Sequence, residues 1–329
     1  MKARSLASRL GLGRVAYRLY HRPLGVVRQS IREGGPIEQW RDRQGRCEMV
    51  RQTAALSPLE APPIGPDAEV AYLTGPRFWD QTIFCFVSLQ LHVPFRMVPV
   101  IYDDGNMDAR TREEIARIVP WARFVSADHS EAELDQRLPR ERFPALRGRR
   151  DNFVLMRKLM DVHAGSDGFR LFLDSDMLFH RRPSELINWF SNPGWLYLQD
   201  VIPSYGYPVE FLAALIGCQM PERVNSGFYA VDGAALDWDR IEYWCQRQLA
   251  THGPDYLQEQ ALTAMLFAGR SATVLPRDRY VVMPDARESA ACSAILHHYV
   301  NLSKRAYYRH NWRRTFELAE GQAKDRAVA

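Results

Sequence analysis

The chain has no apolar run that could span a bilayer, no C-x-x-C pair, no internal repeat and no uninterrupted apolar core near its start. A membrane-crossing helix needs ~20 consecutive apolar residues, so none is expected. The lack of an apolar leader core argues against a secretory signal and for a cytoplasmic protein. The five cysteines, Cys47, Cys85, Cys218, Cys245 and Cys292, are odd in number and widely scattered. That pattern argues against a disulfide scaffold or a structural zinc site and for reduced thiols packed as small hydrophobes. Low-complexity sequence is confined to residues 52–67, where Ser57-Pro58 and Ala61-Pro62-Pro63-Ile64-Gly65-Pro66 read as a linker.

What is present fits one sizeable enzyme domain. At 329 residues, 46% hydrophobic and 25% charged, the chain has the composition of a globular protein with a large core. Charge is unevenly placed: residues 1–51 carry a net +8 and the remainder a net −4. Leu6, Leu10, Tyr17, Leu19 and Tyr20 are interleaved there with Arg9, Arg14 and Arg18. A basic amphipathic helix of this kind can lie on an anionic membrane surface, although Gly11 and Gly13 weaken the helix and leave a loose basic arm as the alternative. The asymmetry stops at this arm and no nucleic-acid motif accompanies it, so nucleic acid is not an expected partner. The expected organisation is a basic arm and linker over 1–65, one domain over 66–305, and a C-terminal tail over 306–329.

Periodicity reads as strands alternating with helices. Strands are expected at 69–74, 97–102, 123–127 and Phe169–Leu173, with helices after the first two and another over 152–162. Thr111-Arg112-Glu113-Glu114 resembles a capping box opening a helix. The 152–162 helix places Phe153, Met156 and Met160 on one face, with Arg157 at its edge and Lys158 off it. Beyond residue 176 the rhythm changes, with strands expected at 195–199, 227–231, 271–275, 280–283 and 294–300 and helices at 207–216, 235–250 and 255–268. Such a βαβ chain implies an α/β fold with a mostly parallel sheet.

The chemistry concentrates at Leu171-Phe172-Leu173-Asp174-Ser175-Asp176. Phe169–Leu173 is apolar at every position but Arg170, as a strand buried on both faces would be. Open α/β sheets bind ligands beyond the carboxyl ends of their strands, where Asp174 and Asp176 fall. Paired carboxylates suit a hard divalent cation, and such a cation suits a diphosphate. A solvated Asp-Ser-Asp turn is the plainer reading of the same residues.

Three further motifs follow in order: Asn225-Ser226-Gly227, Glu259-Gln260, and His298-Tyr299-Val300-Asn301-Leu302-Ser303-Lys304. Together with Asp174-x-Asp176 the set resembles the GT-A glycosyltransferases, in particular the family of glycogenin and the bacterial lipopolysaccharide galactosyltransferases. That family carries Asp-x-Asp, Asn-Ser-Gly or Asn-Ala-Gly, Asp-Gln and His-x-x-Gly-x-x-Lys, and the resemblance covers roughly residues 68–305. Asn301 stands where the family has Gly, Glu259 where it has Asp, and Lys304-Arg305-Ala306 lacks the following Pro-Trp. The resemblance implies a GT-A fold, a Rossmann-like, mostly parallel mixed sheet flanked by helices, with nucleotide and acceptor halves fused in one domain. It further implies a retaining, metal-dependent transfer from a nucleotide-diphosphate sugar to a glycan or lipid-linked acceptor, as in polysaccharide biosynthesis.

Residue roles follow from chemistry and resemblance together. Asp174, Asp176 and His298 would hold Mn²⁺ or Mg²⁺, the imidazole favouring Mn²⁺, and the cation would offset charge on the leaving diphosphate. Neighbours on a strand point to opposite faces, so only one of His297 and His298 should reach the metal. The six-residue step to Lys304 selects His298. Lys304 would pair with the diphosphate. Ser175, Thr74, Gly75, Asp104 and Arg157 are further candidates for the donor nucleotide, and Ser226 and Asn225 for hydrogen bonds to donor sugar or acceptor. Glu259 and Gln260, at a helix opening on the acceptor side, are candidate catalytic groups, although a Glu there also complements a helix dipole. Two other readings use some of these residues. A haloacid-dehalogenase-type Mg²⁺ phosphatase also has Asp-x-Asp, but on its first strand and with Thr or Val where Leu178 stands. A catalytically inactive carbohydrate- or nucleotide-binding relative would keep the site without turnover.

Overall fold

The computed structural model describes residues 34–62 and 68–328. The basic amphipathic stretch expected near residues 6–20 lies outside the described residues. The seven strands of the main sheet are β1 (Ala68–Thr74), β2 (Met97–Asp103), β3 (Arg123–Val125), β4 (Phe169–Leu173), β6 (Leu196–Gln199), β7 (Val224–Asp232) and β8 (Thr273–Val274), in spatial order β3-β2-β1-β4-β7-β6-β8. Strand β7 alone runs against its neighbours; the remaining pairings are parallel. A second sheet, β5 (Met177–Phe179), β10 (Leu296–His298) and β9 (Tyr280–Val282), stands beyond the end of β4. This is the mostly parallel mixed sheet flanked by helices that the sequence implies.

Side-chain alternation divides the core between the two faces of the sheet. Val70 and Tyr72 of β1 and Leu171 and Leu173 of β4 join one apolar layer, while Ala71 and Phe172 join the other. Burial on both faces is why these strands read as continuous apolar runs. The first layer is closed by α1 (Gly35–Ala55), α2 (Trp79–Gln90), α3 (Ala109–Ile118) and the C-terminal helix. The second is closed by α4 (Ala127–Arg137), α5 (Pro144–Asn152), α6 (Met156–His163), α8 (Val209–Ile216), α9 (Trp238–His252) and α10 (Gln258–Leu266). Two short helices, α7 (Ser184–Ser191) and α11 (Ala286–Ala291), and the final α12 (Trp312–Val328) complete the chain.

Several expectations are corrected. The helix expected over 152–162 begins instead at Met156, because Asn152 ends α5 and Phe153 leaves helical geometry with φ −147° and ψ 101°. Thr111 does not cap α3; the carboxylate of Asp108 does, accepting from the Thr111 N–H at 2.7 Å. Strand β5 and helices α4, α5, α7 and α11 went unread in the sequence.

The segments read as arm and tail also meet each other. Helix α1 lies so close to a π-helical turn at Tyr307–Asn311 that a Cβ on Gly45 would fall 2.6 Å from the Tyr308 carbonyl oxygen. Glu38 and Asp42 pair with Arg309, Asp42 also with Arg305, and Glu48 with Arg313. Trp312 of α12 is buried against Phe84 of α2. The acidic residues of α1 that dilute the arm's basic charge are therefore those that clamp the C-terminal helices. No described helix is long and apolar enough to cross a membrane, and all five cysteines are free.

Candidate active site

The site is assembled where β4 ends. The Asp174 N–H donates to the Gly227 carbonyl at 2.6 Å, tying the carboxylate turn to β7, and Asp176 leads straight into β5. Antiparallel pairing of β5 with β10 sets His298 opposite Met177 and brings its Nε2 to 3.1 Å from Oδ1 of Asp176. One donor atom each from Asp174, Asp176 and His298 lies within 4.8 Å of the others. Lys304 places its Nζ 2.9 Å from Oδ2 of Asp176. On the other carboxylate, Nζ of Lys158 stands 2.7 Å from Oδ1 of Asp174.

These neighbours set the charges. Burial would raise the Asp176 carboxyl, but Lys304 and His298 hold it well below the usual carboxylate range. Burial likewise works against the Lys158 and Lys304 ammonium groups, yet Asp174 and Glu259 push Lys158 up, as Asp176 does Lys304. The result is two carboxylates and two ammonium groups packed together, with Lys158 buried and Lys304 at the rim.

Gly227 makes this approach possible. A Cβ there would fall 2.6 Å from Cε1 of His298 and 2.8 Å from both Oδ1 of Asn225 and Oδ2 of Asp174. Asn225 accepts the Gly227 N–H at 2.9 Å, and the Ser226 hydroxyl donates to Glu259 at 2.7 Å. Thr263, one turn along α10, donates to the other Glu259 oxygen at 2.9 Å. Burial pushes the Glu259 carboxyl up, partly offset by Lys158 and these hydroxyls. Glu259 is thus a buried polar centre rather than an exposed helix-dipole partner.

The remaining candidates fall in three places. Thr74, Gly75, Asp104 and Arg157 gather beside β4 at the ends of β1 and β2. A Cβ on Gly75 would fall 2.3 Å from the Asp104 carboxylate, and the Arg157 guanidinium lies 3.1 Å from where a Gly105 Cβ would be. The Thr74 hydroxyl is engaged by Thr82 at 2.7 Å, and Arg157 pairs with Asp161 at 3.2 Å. Ser175 is half-buried between the two carboxylates. Gln260 is turned elsewhere, its amide donating to Asp200 at 3.2 Å and to the Ser204 carbonyl at 2.7 Å.

Lys158 is the residue that sequence reading missed. Helix α6 is buried at every position from Met156 to His163 except Arg157, so it has no solvent face on which a charge could be placed. The helix is amphipathic in sequence, but its polar residues meet protein groups rather than solvent, so phase alone misplaces Lys158. Asn301, by contrast, explains itself: its φ is +51°, in the left-handed region where Asn substitutes for Gly with little penalty.

Two oxyanions and an imidazole nitrogen form a donor set suited to a divalent cation of intermediate hardness. The Nδ1 of His298 is buried without a partner, and the missing Cβ of Gly227 is what lets His298 and Asp174 come this close. The residues present fit a cation on these criteria.

Fold and site together define an α/β protein with a carboxylate–imidazole–ammonium centre at the carboxyl edge of a Rossmann-like sheet. No family model matches the sequence, and no curated protein matches it. Solved structures with a similar chain path include mouse xyloside xylosyltransferase 1, at 12% identity and TM-score 0.49, covering 71% of this chain and 98% of that one. The galactosyltransferase LgtC, solved with donor and acceptor sugar analogues, is 14% identical at TM-score 0.49, covering 77% of this chain and 95% of its own. The bifunctional glycosyltransferase WbbM is 12% identical at TM-score 0.48, covering 80% and 53%. Likenesses this distant transfer no residue roles, which rest on the side chains above.

Proposed function

We propose that this chain is a metal-dependent glycosyltransferase that moves a sugar from a nucleotide-diphosphate donor to a glycan or lipid-linked acceptor, with retention of anomeric configuration. The observation that carries the reading is the convergence of Asp174, Asp176, His298, Lys304 and Lys158 at one sheet edge. Residues of four motifs separated by up to about 120 positions in sequence lie close together here, Gln260 excepted. Asp174, Asp176 and His298 would hold Mn²⁺ or Mg²⁺, which when bound offsets the negative charge of the departing diphosphate.

The chain's own residues supply the rest. Two ammonium groups already neutralise two carboxylates, so a divalent cation brings surplus positive charge that an accompanying diphosphate balances. Lys304, at the rim with its side chain 35% exposed, is positioned to swing from Asp176 to a phosphate oxygen. Lys158, buried, stays on Asp174 and fixes its orientation. Thr74, Gly75, Asp104 and Arg157 would receive the nucleotide, and Asn225, Ser226 and Glu259 the sugar. The reading needs no haloacid-dehalogenase chemistry, since the carboxylates follow β4 rather than the first strand.

Release of nucleoside diphosphate, assayed across a panel of sugar nucleotides with and without Mn²⁺, tests this proposal. Metal-stimulated release with one donor class is expected, with Asp174→Ala and Asp176→Ala each lowering it more than about 100-fold while circular dichroism is unchanged. Nuclear magnetic resonance of the product anomer tests retention. Full activity of either variant in EDTA would overturn the metal assignment.

A further inference from the structure

A second cluster of metal-ligating side chains lies behind the strand that presents His298. His297, its neighbour on β10, points the opposite way. His180 follows β5, fixed by its N–H donating to the Ile295 carbonyl at 2.8 Å. The two imidazoles sit with ring centroids 4.6 Å apart. Cys292, at the end of α11, completes the group, and one donor atom from each of the three residues lies within 4.8 Å of the others. Its backbone is left-handed at φ +47°, a conformation costly for a residue with a Cβ, and this aims the buried thiol inward.

The surroundings are those of a ligand set. Glu288 takes the Nε2 side of His297 at 2.8 Å, the carboxylate–imidazole arrangement that orients a metal-bound histidine and strengthens its other nitrogen as a donor. That other nitrogen, Nδ1, is 2.9 Å from the Tyr299 hydroxyl, which also lies 3.2 Å from Nε2 of His180. The Cys292 thiol donates to the Ser289 carbonyl at 3.4 Å, and the Asn311 amide approaches its sulfur at 3.6 Å.

We propose that His180, His297 and Cys292 bind one zinc(II) ion, chemically and spatially distinct from the carboxylate site. Two nitrogens and a sulfur are the donors zinc prefers, whereas the oxygen-rich centre at Asp174 and Asp176 suits Mn²⁺ or Mg²⁺. Three protein ligands leave the fourth tetrahedral position to water or to the Tyr299 oxygen. Tetrahedral donors about 3.3–3.8 Å apart require these side chains to close in by about an ångström. Binding exchanges the Cys292 S–H proton to solvent and forms a zinc–thiolate bond, with no redox change. The ion would pin β5 to β10, and so hold the strand from which His298 reaches the other face. The inference stands independently of the transferase reading.

Cobalt(II) is the spectroscopic probe. Full-length protein purified without chelator is expected to carry about one zinc by elemental analysis. Exchange into Co²⁺ should give a near-ultraviolet thiolate-to-cobalt charge-transfer band. Cys292→Ser should abolish the band, and Asp176→Asn should leave it intact. A wild-type Co²⁺ spectrum without that band would overturn the proposal, as would a band that survives in Cys292→Ser and so arises from another cysteine.

Discussion

The Lys158 ammonium stands 2.7 Å from Oδ1 of Asp174, joining a helix on one face of the sheet to the carboxylate turn at its edge. Lys158 is buried and Asp174 partly so, and Lys158 also sits over the Phe172 ring, 5.5 Å from its centroid. A pair of this kind is costly to break from one side, because the abandoned charge stays behind. Lys158→Met should therefore lower donor turnover by about 100-fold or more, with Lys158→Arg recovering part of it. Steady-state kinetics with both variants decide the role. A Lys158→Met enzyme with normal turnover and only a lower melting temperature would reduce Lys158 to a structural residue.

The adjacent histidines offer a sharper comparison. His298→Ala should raise the Mn²⁺ concentration needed for half-maximal activity, since its Nε2 faces Asp176. His297→Ala should shift that requirement far less, through loosening of β10 alone, while destabilising the fold by about 1–3 kcal/mol, because it strips partners from Glu288 and Tyr299. Mn²⁺ titration and urea unfolding of both variants separate the effects. The opposite pattern would place the wrong histidine at the metal.

Gly227→Ala tests the packing of the centre. The new methyl would meet His298, Asn225 and Asp174 at 2.6–2.8 Å, and two of these belong to the metal set. Overpacking costs about 1–3 kcal/mol, and here relief can come only by displacing ligands. Activity should fall steeply even in protein that remains folded, with a matching loss of Mn²⁺ affinity. An active Gly227→Ala enzyme would mean that the three side chains are not held together in solution.

How much of this was legible in sequence follows from range. The strand Phe169–Leu173 was read to the residue, because burial on both faces writes itself locally as an apolar run. Asp174, Asp176, His298 and Lys304, grouped in sequence by the motif resemblance, do lie together, because each motif is short and its spacing local. What escaped depends on contacts between distant segments. Lys158 looked like a surface charge because nothing nearby records that α6 is enclosed. Cys292 looked like a packing residue because His180 lies 112 positions earlier in the chain and reaches it only through the pairing of β5 with β10. Helix α1 was absorbed into a basic arm because its acidic partners of Arg309 and Arg313 read only as diluted charge.

A pH-dependent term in stability follows from Glu131. Against burial, which would raise it, a hydrogen bond from Arg140 and the charges of Arg150 and Arg147 hold its carboxyl down at about 2. An unfolded Glu titrates near about 4.3, so the folded pKa is depressed. The stabilisation is therefore complete above the unfolded value and is lost as pH falls from about 4.3 towards about 2. Glu131→Gln should lower the urea midpoint at pH 7, and the gap from wild type should narrow as the buffer is taken down through this window. A gap of constant size would show that the ion network contributes nothing through charge.

The final prediction concerns the membrane. Residues 1–33 hold eight Lys or Arg and one acid, and helix α1 follows with Ile37 and Trp40 exposed at 67% and 59%, one turn apart. Arg41 and Arg43 are exposed beside them. Exposed Trp with flanking Arg suits the headgroup region of an anionic bilayer, where each basic residue adds about 1 kcal/mol and salt screens the attraction. Full-length protein should bind phosphatidylserine vesicles at low ionic strength and release them as salt rises. Removing residues 1–33 should abolish most of this binding without unfolding the protein, since α1 and its contacts with Arg305, Arg309 and Arg313 are kept. Trp40→Ala should weaken what remains. A cut at residue 66 would be a poor test, because it strips α1 from the Tyr308 and Trp312 region. Co-sedimentation at two salt concentrations reads the result. Full-length protein that ignores anionic vesicles at low salt would exclude a membrane role for this segment.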